Sequence, residues 1–112
     1  MRVNTTNNTA HGEYKVPGGK LVVVDLAIAG GRMTAVQVSG DFFLEPDSAL
    51  DTINAALEGL SIATAEAGLA AAVAAALGPE PRMFGITPEG VAAAVRRALD
   101  AAPGGDDPGG RA

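Results

Sequence analysis

The segment KVPGGK, which begins at Lys15 and ends at Lys20, places two ammonium groups on either side of a tight turn. Pro17 sets φ at one turn position, and Gly18 permits the positive φ that the next position requires. Turn N–H groups and ammonium groups both attract phosphate or carboxylate. The segment lacks the glycine spacing and the Lys-Ser/Thr pair of a P-loop. It predicts either an anion-binding turn, formed by Lys15, Gly18, Gly19 and Lys20, or a plain turn with solvated lysines.

The segment GDFF is the second unusual stretch, because two adjacent phenylalanines follow an acid in a chain with few aromatic residues. Adjacent side chains of a strand point to opposite faces. We therefore expect one of Phe42 and Phe43 to enter the core and the other to contact solvent or a partner protein. Asp41 either belongs to the same contact or caps a turn through its own backbone. The pattern does not say which phenylalanine is exposed.

Groups for covalent catalysis or metal binding are scarce. The chain has no cysteine, which excludes disulfides, thiolate ligands and thiol nucleophiles. Its one histidine, His11, adjoins a polar segment that we predict to be disordered, where a general base is poorly oriented. Asp47 and Asp51 lie four residues apart, but charges near a helix start explain them better than a metal site. We predict no catalytic residue and no metal site.

Length, net charge and hydropathy limit the classes of partner that the chain is expected to bind. The chain has 112 residues, enough for one small domain, and a formal net charge of −5. Nucleic-acid-binding proteins usually carry a basic face, so we expect no nucleic acid partner. No apolar run is long enough to span a bilayer, and the N-terminus lacks the apolar core of a signal peptide. We therefore predict a cytoplasmic protein that does not bind membranes.

The first half of the folded part reads as three strands. The predicted strands are Glu13–Val16, Lys20–Ile28 and Arg32–Gly40. Alternate residues of the second strand are apolar and should face the core. A three-residue loop, Ala29–Gly31, with Gly31 in a left-handed conformation, would pair Val24 with Val36 and Val22 with Val38. We prefer this register because a two-residue loop would place these valines opposite polar residues.

The second half predicts three helices. We expect Pro46 in the first turn of a helix that stops at Gly59, a second helix over Thr64–Leu77, and a short linker over Phe84–Ile86. Thr87-Pro88-Glu89 then starts a third helix, with a capping hydroxyl and with Val91, Val95 and Leu99 on its apolar stripe. Strands followed by helices indicate an α+β domain, an antiparallel meander of about three strands packed against about three helices. We place this domain at 12–102, between disordered tails at 1–11 and 103–112.

The segments KVPGGKLV at 15–22 and SGDFFLEP at 39–46, with Thr87-Pro88-Glu89 opening the last helix, together resemble the C-terminal accessory domain of lipoate–protein ligases. In that family the catalytic domain activates lipoate with ATP to lipoyl-AMP and transfers the lipoyl group to a lysine of an acceptor protein. The accessory domain is fused to it or forms a separate small subunit needed for adenylation. The resemblance covers about residues 12–102. It implies that this chain is the separate small subunit, which would not catalyse the reaction by itself.

The resemblance also implies roles for the two unusual segments. Lys15 and Lys20 would lie toward the catalytic subunit, near ATP or lipoyl-AMP. Asp41, Phe42 and Phe43 would contact that subunit. Lipoate, ATP and magnesium would be bound through the catalytic subunit, not by this chain alone. The accessory domain is also similar in fold to iron–sulfur scaffold and sulfur-acceptor proteins, whose cysteines this chain lacks.

Two alternatives remain open on the sequence. The chain could be a non-catalytic protein-interaction module with a scaffold-like fold, unrelated to lipoylation. It could also be an independent small enzyme, which the missing cysteine and the poorly placed histidine make the weaker of the two.

Overall fold

The computed structural model describes residues 9–101, which form an α+β domain. The elements in chain order are β1 (Thr9–Lys15), β2 (Leu21–Ala29), β3 (Arg32–Gly40), β4 (Phe43–Glu45), α1 (Ser48–Leu57), α2 (Glu66–Leu77), β5 (Arg82–Phe84) and α3 (Pro88–Ala101). Strands β1, β2 and β3 form an antiparallel sheet in that order, and β4 pairs with β5 in a second sheet. The predicted meander and helices are confirmed, and the β4–β5 sheet is additional.

Strand β1 is longer than predicted. It begins at Thr9, whereas the sequence predicted a strand only from Glu13, and it pairs with β2 along its whole length. Its inward positions include Ala10 and Gly12, which are buried but too small to give a clear apolar alternation. The tail predicted over 1–11 thus overlaps β1 at residues 9–11. Residues 1–8 and the tail predicted over 103–112 lie outside the described residues.

The β2–β3 hairpin turns through two residues, and the predicted three-residue loop is wrong. Ala29 pairs with Arg32, which leaves only Gly30 and Gly31 in the loop. Both glycines have positive φ, 60° and 76°. Two successive positive φ angles give a turn whose twist matches that of the flanking strands.

A β-bulge in β3 supplies the extra residue that the prediction assigned to the loop. On the loop side of the bulge, Ala27 pairs with Thr34. Beyond it, Asp25 pairs with Gln37, so β3 carries one residue more than β2. Ala35 lies in this interval with φ of 50°, an uncommon conformation for a residue with a Cβ.

The bulge keeps the predicted valines on the inward face although their partners differ. Val24 pairs with Val38 and Val22 with Gly40, so the predicted pairs of Val24 with Val36 and of Val22 with Val38 are wrong. All four valines are nevertheless buried. A bulge shifts the alternation by one residue, which has the same effect on the facing of later side chains as a longer loop.

The free edge of β3 is covered by side chains from the end of α1. The Glu58 carboxylate accepts hydrogen bonds from the N–H of Ala35 at 3.2 Å and of Val36 at 2.6 Å. Asn54 Oδ1 accepts one from the N–H of Val38 at 3.0 Å. Unpaired groups on an edge strand are a template for another chain. These two side chains therefore occupy three donors that would otherwise face outward.

Helix α3 packs across the sheet and forms much of the core. Its predicted apolar stripe is confirmed, because Val91, Val95 and Leu99 are buried. The Thr87 hydroxyl accepts a hydrogen bond from the N–H of Gly90 at 2.9 Å, which confirms the predicted cap. Where the helix crosses β1, a Cβ on Gly12 would overlap the backbone of Ala94 and Ala98.

Helices α1 and α2 begin slightly later than predicted. Pro46 lies just before α1, with Asp47 at the N-cap position, so the placement of Pro46 in the first turn is wrong. Gly59 follows the end of α1 with φ of 84°, in agreement with its predicted role as a stop. In α2, Leu69 and Val73 lie four residues apart on one face and are fully buried.

Of the stretch predicted as a linker, Phe84–Ile86, the first residue belongs to a strand instead. Phe84 ends β5 and pairs with Phe43 of β4, and Glu45 pairs with Arg82. A three-residue strand is too short for its alternation to be recognised in a sequence. The β4–β5 pairing brings the GDFF segment next to the residues that precede α3.

Candidate functional site

The KVPGGK segment forms the tight turn that its sequence predicts. Gly18 has φ of 72°, and the N–H of Gly19 donates to the carbonyl of Val16 at 2.8 Å. The N–H of Val16 in turn donates to the carbonyl of Lys20 at 3.0 Å. The turn therefore closes on itself at the end of the sheet where β1 meets β2.

The turn also packs against the residues that follow β5. The N–H of Lys20 donates to the carbonyl of Gly85 at 2.9 Å. Gly85 has φ of 84°, and a Cβ there would lie 2.5 Å from Lys20 Cγ. A Cβ on Gly19 would lie 2.9 Å from the Gly85 oxygen. Glycine is thus needed on both sides of this contact, because the two backbones approach closely.

These hydrogen bonds reduce the number of backbone N–H groups in the turn that could bind an anion. The N–H groups of Val16, Gly19 and Lys20 all donate hydrogen bonds to backbone carbonyls of the protein. Lys15 Nζ lies 3.3 Å from the carbonyl of Val16, and both lysine residues are exposed. The ammonium groups, more than the turn backbone, are therefore what this segment presents outward.

The structure distinguishes the two phenylalanines of GDFF. Phe42 is partly buried and packs against the core, whereas the Phe43 side chain is 53% exposed. Gly40 makes room for this arrangement, because a Cβ there would overlap the Leu21 carbonyl and lie 3.0 Å from the Phe42 ring. Asp41 is exposed. The expectation of one inward and one outward ring is met.

Phe84 is the residue that sequence reasoning missed. Its ring lies 5.7 Å from the Phe43 ring, centroid to centroid, at an interplanar angle of 41°, and it is 47% exposed. Tilted aromatic pairs at this separation are favourable. The available signal was an aromatic residue directly before a glycine, but its partner could be found only from the β4–β5 pairing.

We group four residues near this end of the sheet under the name aromatic end: Lys20, Leu21, Phe43 and Phe84. Lys20 is joined to Phe84 through Gly85, and Leu21 follows Lys20 at the start of β2. Leu21, Phe43 and Phe84 are the large hydrophobic residues that remain exposed among the described residues. Clustered exposed apolar side chains beside a charge are typical of a protein-binding surface.

A polar cluster, separate from the aromatic end, lies on the outward face of the sheet. His11 Nδ1 is 2.6 Å from Asp25 Oδ1, and His11 Nε2 is 2.8 Å from Glu13 Oε2. The hydrogen bond to Asp25, and then the one to Glu13, raise the pKa of His11 above its ordinary value. His11 is therefore ordered in β1, which corrects its predicted place in a disordered tail. Both ring nitrogens are engaged, so neither is free to act as a base.

Within residues 9–101, no three His, Cys, Asp or Glu side chains are arranged to hold a metal ion. Over the same residues, no helix combines the length and the apolar character needed to cross a bilayer.

Comparison with known proteins gives one informative likeness. No protein-family model matches the chain, and no curated protein matches it. A solved structure that matches comes from an archaeal lipoylation system of Thermoplasma acidophilum, a bi-partite lipoate protein ligase and its E2 lipoyl domain. The identity is 24%, the TM-score 0.60, and the match covers 79% of this chain and 92% of the other. The chain is therefore similar in fold to a component of that system.

Proposed function

We propose that this protein is the accessory subunit of a two-component lipoate–protein ligase. It docks on the catalytic subunit and supports ATP-dependent formation of lipoyl-AMP, before the lipoyl group passes to a lysine of an acceptor protein. Lipoate, ATP and magnesium bind to the catalytic subunit in this scheme, and this chain supplies no catalytic residue. The cytoplasmic location predicted from the sequence belongs to the same proposal.

One observation carries the proposal. The two segments that resemble the ligase accessory domain, KVPGGK and GDFF, meet at one end of the molecule through β5 and Gly85. The likeness to the archaeal lipoylation system supports it. That match covers most of both chains, so the matched component is similar in length to this one. A small component of a two-part ligase is the kind of protein that the proposal requires.

The aromatic end suits docking on a larger protein. Phe43 and Phe84 form a tilted aromatic pair that is large and about half exposed, and aromatic side chains contribute strongly to binding energy at interfaces. Lys20 lies beside them on the turn, and Lys15 is at its other end. Once the aromatic pair is docked, these ammonium groups face the catalytic subunit. There they offset negative charge on ATP or lipoyl-AMP, as cationic groups do at phosphate sites.

The direct test is the rate of lipoyl-AMP formation by the catalytic subunit with and without this chain. We expect at least a roughly tenfold faster rate with it, below the roughly 100-fold or more that one well-placed electrostatic group can supply. Lys20→Ala should lower the stimulated rate, and Lys20→Arg, which keeps the charge, should retain most of it. Equal rates with and without the chain would contradict the proposal.

The alternative, an interaction module unrelated to lipoylation, uses the same aromatic end. Co-purification separates the two, because it identifies the protein that occupies this surface. If the bound partner is not a ligase subunit and adenylation is unaffected, the module is the correct function.

A further inference from the structure

A groove of about 320 Å³ opens between the end of β3 and the start of α1. Its apolar walls come from Val38 on β3, Leu44 on β4 and Leu50 on α1, with the partly buried Phe42 between them. The volume is at the lower end of the range for clefts that hold small ligands. A slender aliphatic group would bury its surface there, next to the exposed ring of Phe43.

The lining contains a single ionisable side chain, Asp47. It stands at the N-cap position of α1, where an aspartate usually accepts a hydrogen bond from an N–H of the first turn. Here the carboxylate makes no such bond, and the residue has helical angles, φ −55° and ψ −34°. Nor does any other hydrogen bond or ion pair of residues 9–101 involve this carboxylate. The groove therefore has an accessible anion without a counter-charge.

We propose that this groove receives a lysine or arginine side chain of the docked protein, with its stem against Phe42 and Leu50 and its cation at Asp47. Both side chains bury an aliphatic stem while they keep the charged end accessible, which matches an apolar groove with one carboxylate. No basic residue lines the groove. The helix dipole accounts for an acid at the start of α1, but it does not account for the adjacent apolar groove. The inference rests on the proposed function only for the identity of the docked protein.

The chemistry is tested first without any partner. N-acetyl-lysine methylamide is titrated into the full chain and followed by amide chemical shifts, with N-acetyl-norleucine methylamide as the ligand that has the same stem but no charge. We expect saturable shifts at Val38, Leu44 and Leu50 with the lysine compound, and affinity about two- to fivefold lower for the norleucine compound, the range for an exposed ion pair. Equal responses to the two compounds, or shifts elsewhere only, would overturn the proposal.

Two matched variants assign the effect to one carboxylate. Asp47→Asn keeps the shape of the groove and should abolish the preference for lysine over norleucine. Asp51→Asn removes the same charge from the same helix, outside the groove lining, and should keep the preference. If both variants lose it equally, net charge and not the groove is responsible, and the inference fails. The spectrum of each variant also shows whether the chain is folded.

The same variants are then measured against the ligase catalytic subunit. We expect Asp47→Asn to weaken that complex about tenfold, an effect that added salt reduces, and Asp51→Asn to leave it nearly unchanged. Wild-type binding with an unaffected Asp47→Asn complex defeats this inference alone. Absence of wild-type binding and of stimulated adenylation defeats the proposed function, while the lysine titration still decides the groove.

Discussion

The outer edge of β3 and the aromatic end are two surface regions of the same small domain. They differ in whether their exposed groups are covered by other parts of the protein. At the β3 edge, Glu58 and Asn54 occupy three backbone donors that would otherwise face outward. At the aromatic end, Phe43 and Phe84 pair with each other but remain about half exposed. The fold thus closes a surface that would invite unspecific strand pairing. It leaves open a surface whose side chains can select a partner, which supports a binding role for the aromatic end.

The largest expected loss of stability is at Gly12, where β1 packs against α3 in the core, away from the aromatic end. Gly12→Ala should lower the free energy of unfolding by about 2–3 kcal/mol, because the added Cβ overlaps the α3 backbone at Ala94 and Ala98 and the helix must shift. Urea denaturation measures the change. Gly68→Ala is the matched control, since it adds the same methyl inside α2 near only the end of the Thr64 side chain. It should change the free energy of unfolding by less than about 1 kcal/mol, because the gain in helix propensity is offset in part by the close approach to Thr64.

Substitutions at the aromatic end should weaken binding to the partner and leave the stability of the fold nearly unchanged. Phe84→Ala should weaken the complex with the catalytic subunit by about 2 kcal/mol, and change the free energy of unfolding by less than about 1 kcal/mol. Titration calorimetry and urea denaturation measure the two quantities. Met83→Ala is the control, because Met83 lies on the inner face of β5 against the core. It should lose stability and keep affinity, and the reverse pattern would place the docking surface elsewhere.

Glu58 tests whether the β3 edge is closed by this carboxylate. Glu58→Ala should lower the free energy of unfolding by at least about 1 kcal/mol, because the N–H groups of Ala35 and of the buried Val36 lose their acceptor. Glu80→Ala, an exposed acid in the loop before β5, should change it by less than about 0.5 kcal/mol. Sedimentation at increasing concentration should show more self-association for Glu58→Ala than for Glu80→Ala. Equal behaviour would mean that the edge is protected by other groups.

His11 should give the smallest effect, a shallow pH dependence. Its pKa is raised in the folded protein, so its contacts with Asp25 and Glu13 stabilise the fold fully below the ordinary value of 6.5. That contribution is lost as the pH rises through the raised folded-state pKa. From about pH 5 to about pH 9, wild type should therefore lose more stability than His11→Gln. Urea denaturation across this range checks the sign, and parallel curves would contradict it.

The sequence predicted elements with strong periodicity and missed those fixed by distant contacts. The inward valines of β2 and β3 follow from alternation, whatever the loop length. The position of the bulge does not, because Ala35 adopts its positive φ beside a carboxylate that arrives from the end of α1. Strand β1 was cut short because Ala10 and Gly12 are small, and their burial depends on α3 crossing at that point.

The candidate site was predicted in parts but not as a whole. Pro17 and Gly18 predicted the turn, and the two adjacent phenylalanines predicted one exposed ring. Which ring, and its pairing with Phe84, depends on the register of β4 against β5, for which three residues give no readable pattern. The roles assigned to Lys15, Lys20 and Asp41 stay predictions until the adenylation and binding measurements are made.

The bond from the Lys20 N–H to the Gly85 oxygen has a consequence for protein engineering. It fastens the KVPGGK turn to the residue directly after Phe84, with glycine required on both sides of the contact. A transplant of the turn alone onto another scaffold would leave Lys20 without the surface that positions it. The transferable unit is discontinuous in the chain, and it must include the segment around Gly85 as well as the turn.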